Sequence, residues 1–256
     1  MPRITIVDTD ANTIGDCSCC GFRSPKKAGH QRKCAWLRKQ YPHGLRYKIL
    51  QVDGRDAGMI EYAPGEHAWR PVEAEGYMVI HCILVHTKAG GGKGYGTLLL
   101  DECLKDAKQA RLHGVVAVAS GGTWMADERL FVRHGFECVD TAPPSFKLMV
   151  KKFHEAPDPS FVQNREQTLR KHGSGLVIFT SDQCPYVAKG LSDILELCAQ
   201  RGLEPKVVEM KTSREARQAP SPYGVFNIAY NGKIVAEHPI RGGRFRYILR
   251  ELGLEI

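Results

Sequence analysis

Apolar and polar positions along the first 150 residues follow the pattern of a mixed sheet. Residues 45–52 and 58–62 are strand-like apolar runs on either side of Asp53-Gly54, a dipeptide favoured in tight hairpins. A longer apolar strand is predicted at 77–86, and a helix with an apolar stripe at 94–112. This order predicts antiparallel strands first, and then a strand–loop–helix–strand unit.

The shorter elements of this region fit the same layout. They are a helix at 34–41, a strand at 115–119, a short helix near 127–133 and strands from residue 136 onward.

A second pattern begins at residue 176. The predicted elements are a strand at 176–179, a helix at 185–200, a strand at 205–210, a hairpin of 225–230 with 234–236 around Asn231-Gly232, and a helix at 245–252. A βαβ unit followed by ββα is the order that a minimal thioredoxin-like domain requires. We therefore expect the α/β (α+β) class: a mixed, mostly antiparallel sheet, then a small thioredoxin-like domain.

The segment between the two patterns has the composition of a linker. Pro157 and Pro159 are followed by a basic stretch and by Gly-Ser-Gly at 173–175. We predict a first domain at 1–155, a linker at 156–174 and a second domain at 175–256.

Charge and cysteine content bear on partners and location. The formal net charge of +8 favours polyanionic partners, such as a cofactor's phosphates or a nucleic acid. No stretch approaches the ~20 apolar residues of a membrane span, and the N-terminus lacks the features of a secretory signal. Nine cysteines are an odd number in a chain too large to need disulfides. We expect a cytoplasmic protein without a membrane segment.

The main chemical signal is the glycine-rich sequence Gly-Gly-Gly-Lys-Gly-Tyr-Gly-Thr at 90–97, between the long strand and the helix. Glycines let backbone amides approach a ligand, and a helix N-terminus attracts anions, so this loop suits a pyrophosphate. It is not a P-loop, because Lys93 is followed by Gly94. It is not the dinucleotide fingerprint either, because Thr97 stands where a glycine is needed.

The loop resembles the Gln/Arg-x-x-Gly-x-Gly/Ala loop of the GNAT acyltransferase superfamily, with Gly91 at the usual Gln or Arg position. The resemblance implies that the strand before the loop pairs with the pantetheine arm of acetyl-CoA or another acyl-CoA. The loop amides would hold its pyrophosphate. The implied cofactor-binding residues are Ile83, Leu84, Val85, Gly91, Gly92, Lys93, Gly94, Tyr95, Gly96 and Thr97.

Several short motifs resemble the GNAT subgroup that carries a C-terminal YoaP-like domain, and they cover nearly the whole chain. They are Cys19-Cys20, Trp36-Leu37, Glu61-Tyr62, Pro64, Glu66, Ala68-Trp69, Pro71, Gly76-Tyr77-Met78, Ile80-His81-Cys82, Asp106-Ala107-Lys108, Gln183-Cys184-Pro185 and Tyr230-Asn231-Gly232. The resemblance implies a GNAT fold followed by a YoaP-like, thioredoxin-like domain.

Acyl transfer to an amine needs a base, an oxyanion donor and a proton for the leaving thiolate. Glu61 or Glu66 is the first candidate for the base, and His81 is the second. The apolar neighbours of His81 equally predict a hydrogen-bonded core histidine. Tyr77, Tyr95 or a water is the candidate acid, and the backbone of Val85 or a neighbour is the oxyanion donor.

The downstream family motif departs at the position that usually supplies the acid. Gly135-Phe136 closes the motif as expected, but Phe131 stands at the usual tyrosine position. Phenylalanine carries no hydroxyl, so the resemblance identifies no general acid.

Cys184 is the remaining catalytic candidate. It precedes a predicted helix, whose positive end lowers a thiol pKa and favours the thiolate. The segment resembles the glutaredoxin Cys-Pro-Tyr-Cys site, but Val187 replaces the second cysteine. This segment therefore either carries a reactive thiol or keeps only a structural or docking role.

A cysteine-rich stretch at 16–20, with His30 and Cys34, contains metal-ligand types. Its spacing matches no standard C-x-x-C pair of a zinc site. We therefore predict a partly buried turn or helix, and no metal.

Three functions follow from the sequence. The first is transfer of an acetyl or acyl group from an acyl-CoA to the amine of a small molecule. The second keeps the fold but takes the acyl group from a charged tRNA, and the third is thiol-based binding or sensing by Cys184. The basic residues that favour tRNA are Arg165, Arg170, Lys171, His172, Arg241, Arg244, Arg246 and Arg250.

Overall fold

A computed structural model describes residues 2–22, 24–86, 93–122 and 124–254. The chain divides into two compact units. The first comprises Met1–Pro25, Cys34–Ala68 and Val72–Phe161, and the second comprises Lys26–Lys33, Trp69–Pro71 and Val162–Ile256.

The first unit is built on a seven-stranded sheet of order β1-β2-β3-β5-β6-β8-β7, in which only β5 and β6 run parallel. A two-stranded sheet pairs β4 with β9. The strands are β1 (Ile4–Asp8), β2 (Arg46–Val52), β3 (Arg55–Pro64), β4 (Val72–Glu73), β5 (Tyr77–Val85), β6 (Gly114–Ala119), β7 (Glu137–Ala142), β8 (Phe146–Lys152) and β9 (Ser160–Phe161). The expected mixed, mostly antiparallel sheet is confirmed.

Three α-helices accompany these strands in the part of the chain that the structure describes. They are α1 (Ala28–Gln40), whose first residues are grouped with the second unit, α2 (Tyr95–Gln109) and α3 (Glu128–Val132). Helix α1 begins six residues earlier than the helix that the sequence predicts at 34–41. The extra residues are largely polar, so they add no apolar periodicity to the sequence pattern.

The turn between β2 and β3 adopts the predicted hairpin geometry. Asp53 and Gly54 have φ values of 50° and 73°, which is the left-handed pair of a type I′ turn. The turn pairs Val52 with Arg55, and a register shift between Leu50 and Gln51 then brings Arg46 of β2 opposite Tyr62 of β3.

Helix α2 packs its apolar stripe on one face of the sheet. The stripe consists of Leu99, Leu100, Cys103, Leu104 and Ala107, and it meets Ile60 and Tyr62 of β3 and Met78 and Ile80 of β5. Because α2 follows the glycine-rich loop, this packing fixes where the end of the loop lies.

A polar network also holds α2 on the sheet. Lys48 of β2 contacts Glu102 at 2.8 Å and Asp106 at 2.9 Å, and the Tyr62 hydroxyl donates to Asp106 at 2.7 Å. Burial alone would lower the pKa of Lys48, but the bonds to these carboxylates outweigh it and raise that pKa. The lysine is therefore charged and paired beneath the helix.

The second unit has a four-stranded sheet of order β11-β10-β12-β13. Its strands are β10 (Leu176–Thr180), β11 (Lys206–Glu209), β12 (Phe226–Tyr230) and β13 (Lys233–Ala236), and its helices are α4 (Arg165–His172), α5 (Pro185–Ala199), α6 (Ser213–Arg217) and α7 (Gly242–Glu251). β10 pairs with β11 in parallel and with β12 antiparallel. These elements run in the expected βαβ-then-ββα order, and the thioredoxin-like label stays a prediction.

The segment predicted as a linker contains regular structure. Strand β9 and helix α4 both lie between residues 156 and 174. Helix α4 shows little apolar periodicity, because its sequence is dominated by charged residues, with Thr168 and Leu169 as its buried side chains.

Among the described helices, none has the length and hydropathy that crossing a bilayer requires.

Two adjacent leucines of α2 test the packing of the first unit. Leu99 is fully buried in the core, whereas Leu98 is 37% exposed. We expect Leu99→Ala to lower the free energy of unfolding by about 2–5 kcal/mol, because it leaves a cavity. Leu98→Ala, the matched control, should change it by about 0.5 kcal/mol or less. Denaturant unfolding measures both, and equal losses would show that α2 does not pack through Leu99.

Candidate active site

Strands β5 and β6 part in the middle of the sheet. They pair in parallel from Tyr77 and Gly114 to Ile80 and Ala117. Beyond that point β5 continues to Val85 along β3, and β6 continues along β8. Within the described residues β5 and β6 form no pair past Ile80, so a fork opens between them. We call this opening the fork.

One set of backbone groups on β5 faces the fork. The His86 amide donates to the Ala57 carbonyl of the neighbouring strand at 2.8 Å. Orientation alternates along an antiparallel pair, so Leu84 also turns its amide and carbonyl toward β3. Ile83 and Val85 therefore turn theirs toward the fork. Ile83 and Val85 are half-buried, and an extended ligand that pairs with this edge would satisfy their backbone groups.

The first turn of α2 adds amides of the same kind. Gly94 is the N-cap residue, has a φ of 76° and provides no side-chain cap. The Leu98 amide already donates to the Gly94 carbonyl, which leaves the amides of Tyr95, Gly96 and Thr97 without an intrahelical acceptor. They combine with the positive end of the helix dipole into an anion-binding position.

The structure thus brings much of the predicted cofactor-binding set onto adjoining elements. Ile83, Leu84 and Val85 form the end of β5, and residues 94–97 form the start of α2, with Lys93 just before it. Gly91 and Gly92 lie outside the described residues.

Glu61 and His81 form a buried acid–base pair. The Nδ1 atom of His81 lies 3.2 Å from Oε1 of Glu61, and their side chains are 0% and 1% exposed. When Nδ1 carries the proton it donates to the carboxylate, which orients the ring and makes Nε2 more basic. An imidazole held in this way can accept a proton.

A β-bulge places His81 at the start of the fork. Glu61 faces Cys82, yet the next residue of β3, Tyr62, faces Ile80. His81 is therefore the extra residue, directly after the last β5–β6 pair. A bulge that re-aims a side chain next to an active site is a recurrent feature of sheets.

The pair lies on the sheet face opposite α2. Ile60 and Tyr62 point into the α2 core, so Glu61 between them points to the other side. Trp36 of α1 lies there, with its ring centroid 6.4 Å from that of His81. The helix start with its free amides and the acid–base pair thus lie on opposite faces of the sheet, on either side of the fork.

Two sequence-predicted catalytic residues do not join this group. Tyr77 begins β5, about 26 Å along the strand from Val85, and its hydroxyl donates to the Pro157 carbonyl at 2.7 Å. Burial raises the pKa of Tyr77. Glu66 is exposed in the turn after β3, where its Oε1 accepts from the Gly76 amide at 2.8 Å. Both support the far end of β5.

The residues considered for the general acid also lie in different places. Tyr95 is the first residue of α2 and lies in the core that α2 forms with the sheet. Phe131 of α3 is buried against Phe136, with ring centroids 5.4 Å apart, so this position contributes packing alone.

Ser120 is a polar residue that sequence reasoning missed. It follows the last residue of β6, and its hydroxyl lies 2.9 Å from that of Ser145. The carboxyl ends of the parallel strands β5 and β6 meet at one edge of the sheet. The sequence signal that could have identified Ser120 was its position directly after a predicted strand.

Cys184 belongs to the second unit. It is the N-cap of α5, with Pro185 as the first helical residue, and its side chain is partly buried. Its position before a helix is the one that the sequence predicts.

Comparisons with known proteins agree with this layout. The model of the acetyltransferase (GNAT) family matches residues 19–136, and the YoaP-like model matches residues 206–246. The chain is 26% identical over 250 residues to the Uncharacterized N-acetyltransferase YoaP of Bacillus subtilis (strain 168). That alignment covers 96% of this chain and 98% of the relative.

The solved structures to which this chain is similar include two that were determined with coenzyme A or acetyl-CoA. The paia N-acetyltransferase of Thermoplasma acidophilum, in complex with coenzyme A, is 16% identical with a TM-score of 0.44, and the match covers 59% of this chain and 99% of that one. The yncA structure from Salmonella typhimurium, with acetyl-CoA, is 20% identical with a TM-score of 0.44, over 60% of this chain and 98% of that one.

Gly94 tests the geometry of the helix start. Among the described atoms, a Cβ at Gly94 would meet none within 4 Å, so the strain of a side chain there comes from the left-handed φ of 76°. We expect Gly94→Ala to cost about 1–2 kcal/mol of stability. Gly121 is equally open but lacks a positive φ, so Gly121→Ala should stay within about 0.5 kcal/mol. Denaturant unfolding compares the two, and an unaffected Gly94→Ala would contradict the described cap.

Proposed function

Because the chain combines a GNAT-family acetyltransferase domain with a YoaP-like C-terminal domain, we propose that it transfers an acetyl group from acetyl-CoA to the amine of a small molecule. The observation that carries this proposal is the fork, with the uncapped N-terminus of α2 following the strand that forms one of its edges. Such an arrangement suits a ligand with an amide-rich arm and a pyrophosphate.

The two parts of the site match the two chemical parts of coenzyme A. The amides of residues 95–97 suit the pyrophosphate. The amides and carbonyls of Ile83 and Val85 suit the amide groups of the pantetheine arm, which would pair with β5 as a short strand does. Other acyl-CoA thioesters contain the same coenzyme A group, so the space at the fork would determine the preference for acetyl.

His81 is the proposed base, with Glu61 as its positioning partner. The amine nitrogen attacks the thioester carbonyl as its proton passes to Nε2 of His81, and the Nδ1 bond to Glu61 stabilises the resulting imidazolium. The C–N bond forms, the C–S bond breaks, and the thiolate leaves with a proton from water or Tyr95. The amide of Val85 faces the fork and is the proposed oxyanion donor.

Acceptor and donor would then approach from different faces of the sheet. Glu61 and His81 lie on the α1 side, under Trp36, whereas α2 covers the other side. A small amine that enters beneath α1 would meet the thioester where β5 and β6 part. In this proposal Glu66, which accepts from the Gly76 amide at the far end of β5, has no part in the chemistry.

Calorimetry with acetyl-CoA tests the proposed coenzyme A site. We expect saturable binding that Gly96→Val weakens by about tenfold or more, because a side chain at this position stands over amides meant for the pyrophosphate. The protein itself tolerates a Cβ there, with Leu130 at 3.5 Å. Gly121→Val is the control and should bind normally. Binding of charged tRNA and not of acetyl-CoA would replace the proposed donor by the RNA-borne one.

Paired carboxylate variants test the base. We expect Glu61→Gln to lower the rate of acetyl transfer about 10²–10⁴-fold, with unchanged affinity for acetyl-CoA, because the imidazole loses its anionic partner. Glu66→Gln keeps an oxygen for the Gly76 amide and should transfer acetyl normally. The assay is thiol release with a panel of small amines. Equal rates in both variants would remove Glu61 and His81 from the mechanism.

A further inference from the structure

Three buried side chains of metal-ligand type converge where helix α1 meets the turn at residues 19–22. They are Cys19, His30 and Cys34, and their ligand atoms all lie within 4.8 Å of one another. The two sulfur atoms of Cys19 and Cys34 are 3.5 Å apart. The proposed acetyl transfer uses none of the three.

Local structure fixes this cluster. His30 and Cys34 are four residues apart on the continuous helix α1, so they share one face one turn apart. Cys19 lies in a small turn closed by two backbone bonds with Phe22, of 3.0 and 2.8 Å. Cys20 and Gly21 give this turn its reversal, with φ values of 49° and 83°. The turn holds Cys19 against Cys34.

The distances and the donor set point to one metal. Two sulfurs bound to a tetrahedral zinc at ~2.3 Å each lie about 3.8 Å apart, close to the value here, whereas a disulfide needs ~2.05 Å. Two thiolates and an imidazole are preferred ligands of zinc, and hard cations avoid them. We propose that Cys19, His30 and Cys34 bind a zinc ion.

Structural zinc sites take four ligands, so a water or a further donor would complete the three that converge here.

The ion would act on the active site through α1. It would fasten the turn at residues 19–22 to the helix that carries Trp36 against His81. Metal binding in such a site contributes directly to folding free energy. This role is structural and does not depend on which acyl donor the protein uses.

Metal analysis of the purified full chain tests the proposal. We expect about one zinc ion per chain after growth with zinc, and the variants Cys19→Ala, His30→Ala and Cys34→Ala to bind zinc at least ~100-fold more weakly. Cys103→Ala removes another buried cysteine, and His43→Ala removes an exposed histidine. Both controls should keep the zinc.

Cobalt substitution gives a readout that does not depend on enzymatic activity or on how tightly the protein holds zinc. Co²⁺ in the reduced wild-type protein should show thiolate charge-transfer bands and the intense visible bands of a tetrahedral site, and these should vanish in Cys34→Ala and persist in Cys103→Ala. If the reduced wild-type protein binds neither zinc nor cobalt, or if the controls lose metal as the ligand variants do, the proposal is wrong. If the protein binds the metal but transfers no acetyl group, the proposed function is wrong and the zinc proposal stands.

Discussion

The parting of β5 from β6 is the constraint on which the rest of the site depends. Backbone amides and carbonyls need hydrogen-bond partners, and in the described part of the sheet β6 no longer pairs with β5 after Ile80. Ile83 and Val85 therefore face a space that an extended ligand can complete. The network of Lys48, Asp106 and Tyr62 holds α2 in register, so that the helix start stays beside this space.

The bulge at His81 couples this opening to the chemistry. Without the extra residue, β5 would keep its alternation, and the residue after Ile80 would pair regularly with β3. The insertion places an imidazole at the point where pairing with β6 ends and turns it toward Glu61. The register shift of β5 against β3 and the end of its pairing with β6 thus fall at the same residue, beside the buried acid–base pair.

The sequence predicted the parts of the site that have local signals. Asp53-Gly54 determines a hairpin, and glycines before an apolar stripe determine a loop that leads into a helix. Register is not local: no residue pattern shows that Glu61 faces Cys82 while Tyr62 faces Ile80. Glu61 and Glu66 were therefore equivalent on sequence grounds, although Glu61 faces Cys82 beside the fork and Glu66 contacts Gly76, just before β5 begins. Strand β1 was missed although its β-branched sequence, ITIVD, is a local strand signal.

The cysteine cluster shows the same difference between local and distant spacing. His30 and Cys34 are one helical turn apart, which a sequence displays, but the helix begins at Ala28, ahead of any apolar signal for it. Cys19 reaches them through a turn with two left-handed residues, so its separation from His30 follows no fixed ligand spacing. A metal site assembled from a turn and a helix face is defined by tertiary contact. The same helix carries Trp36 against His81, so an ion that orders its first turns would also order this face of the sheet.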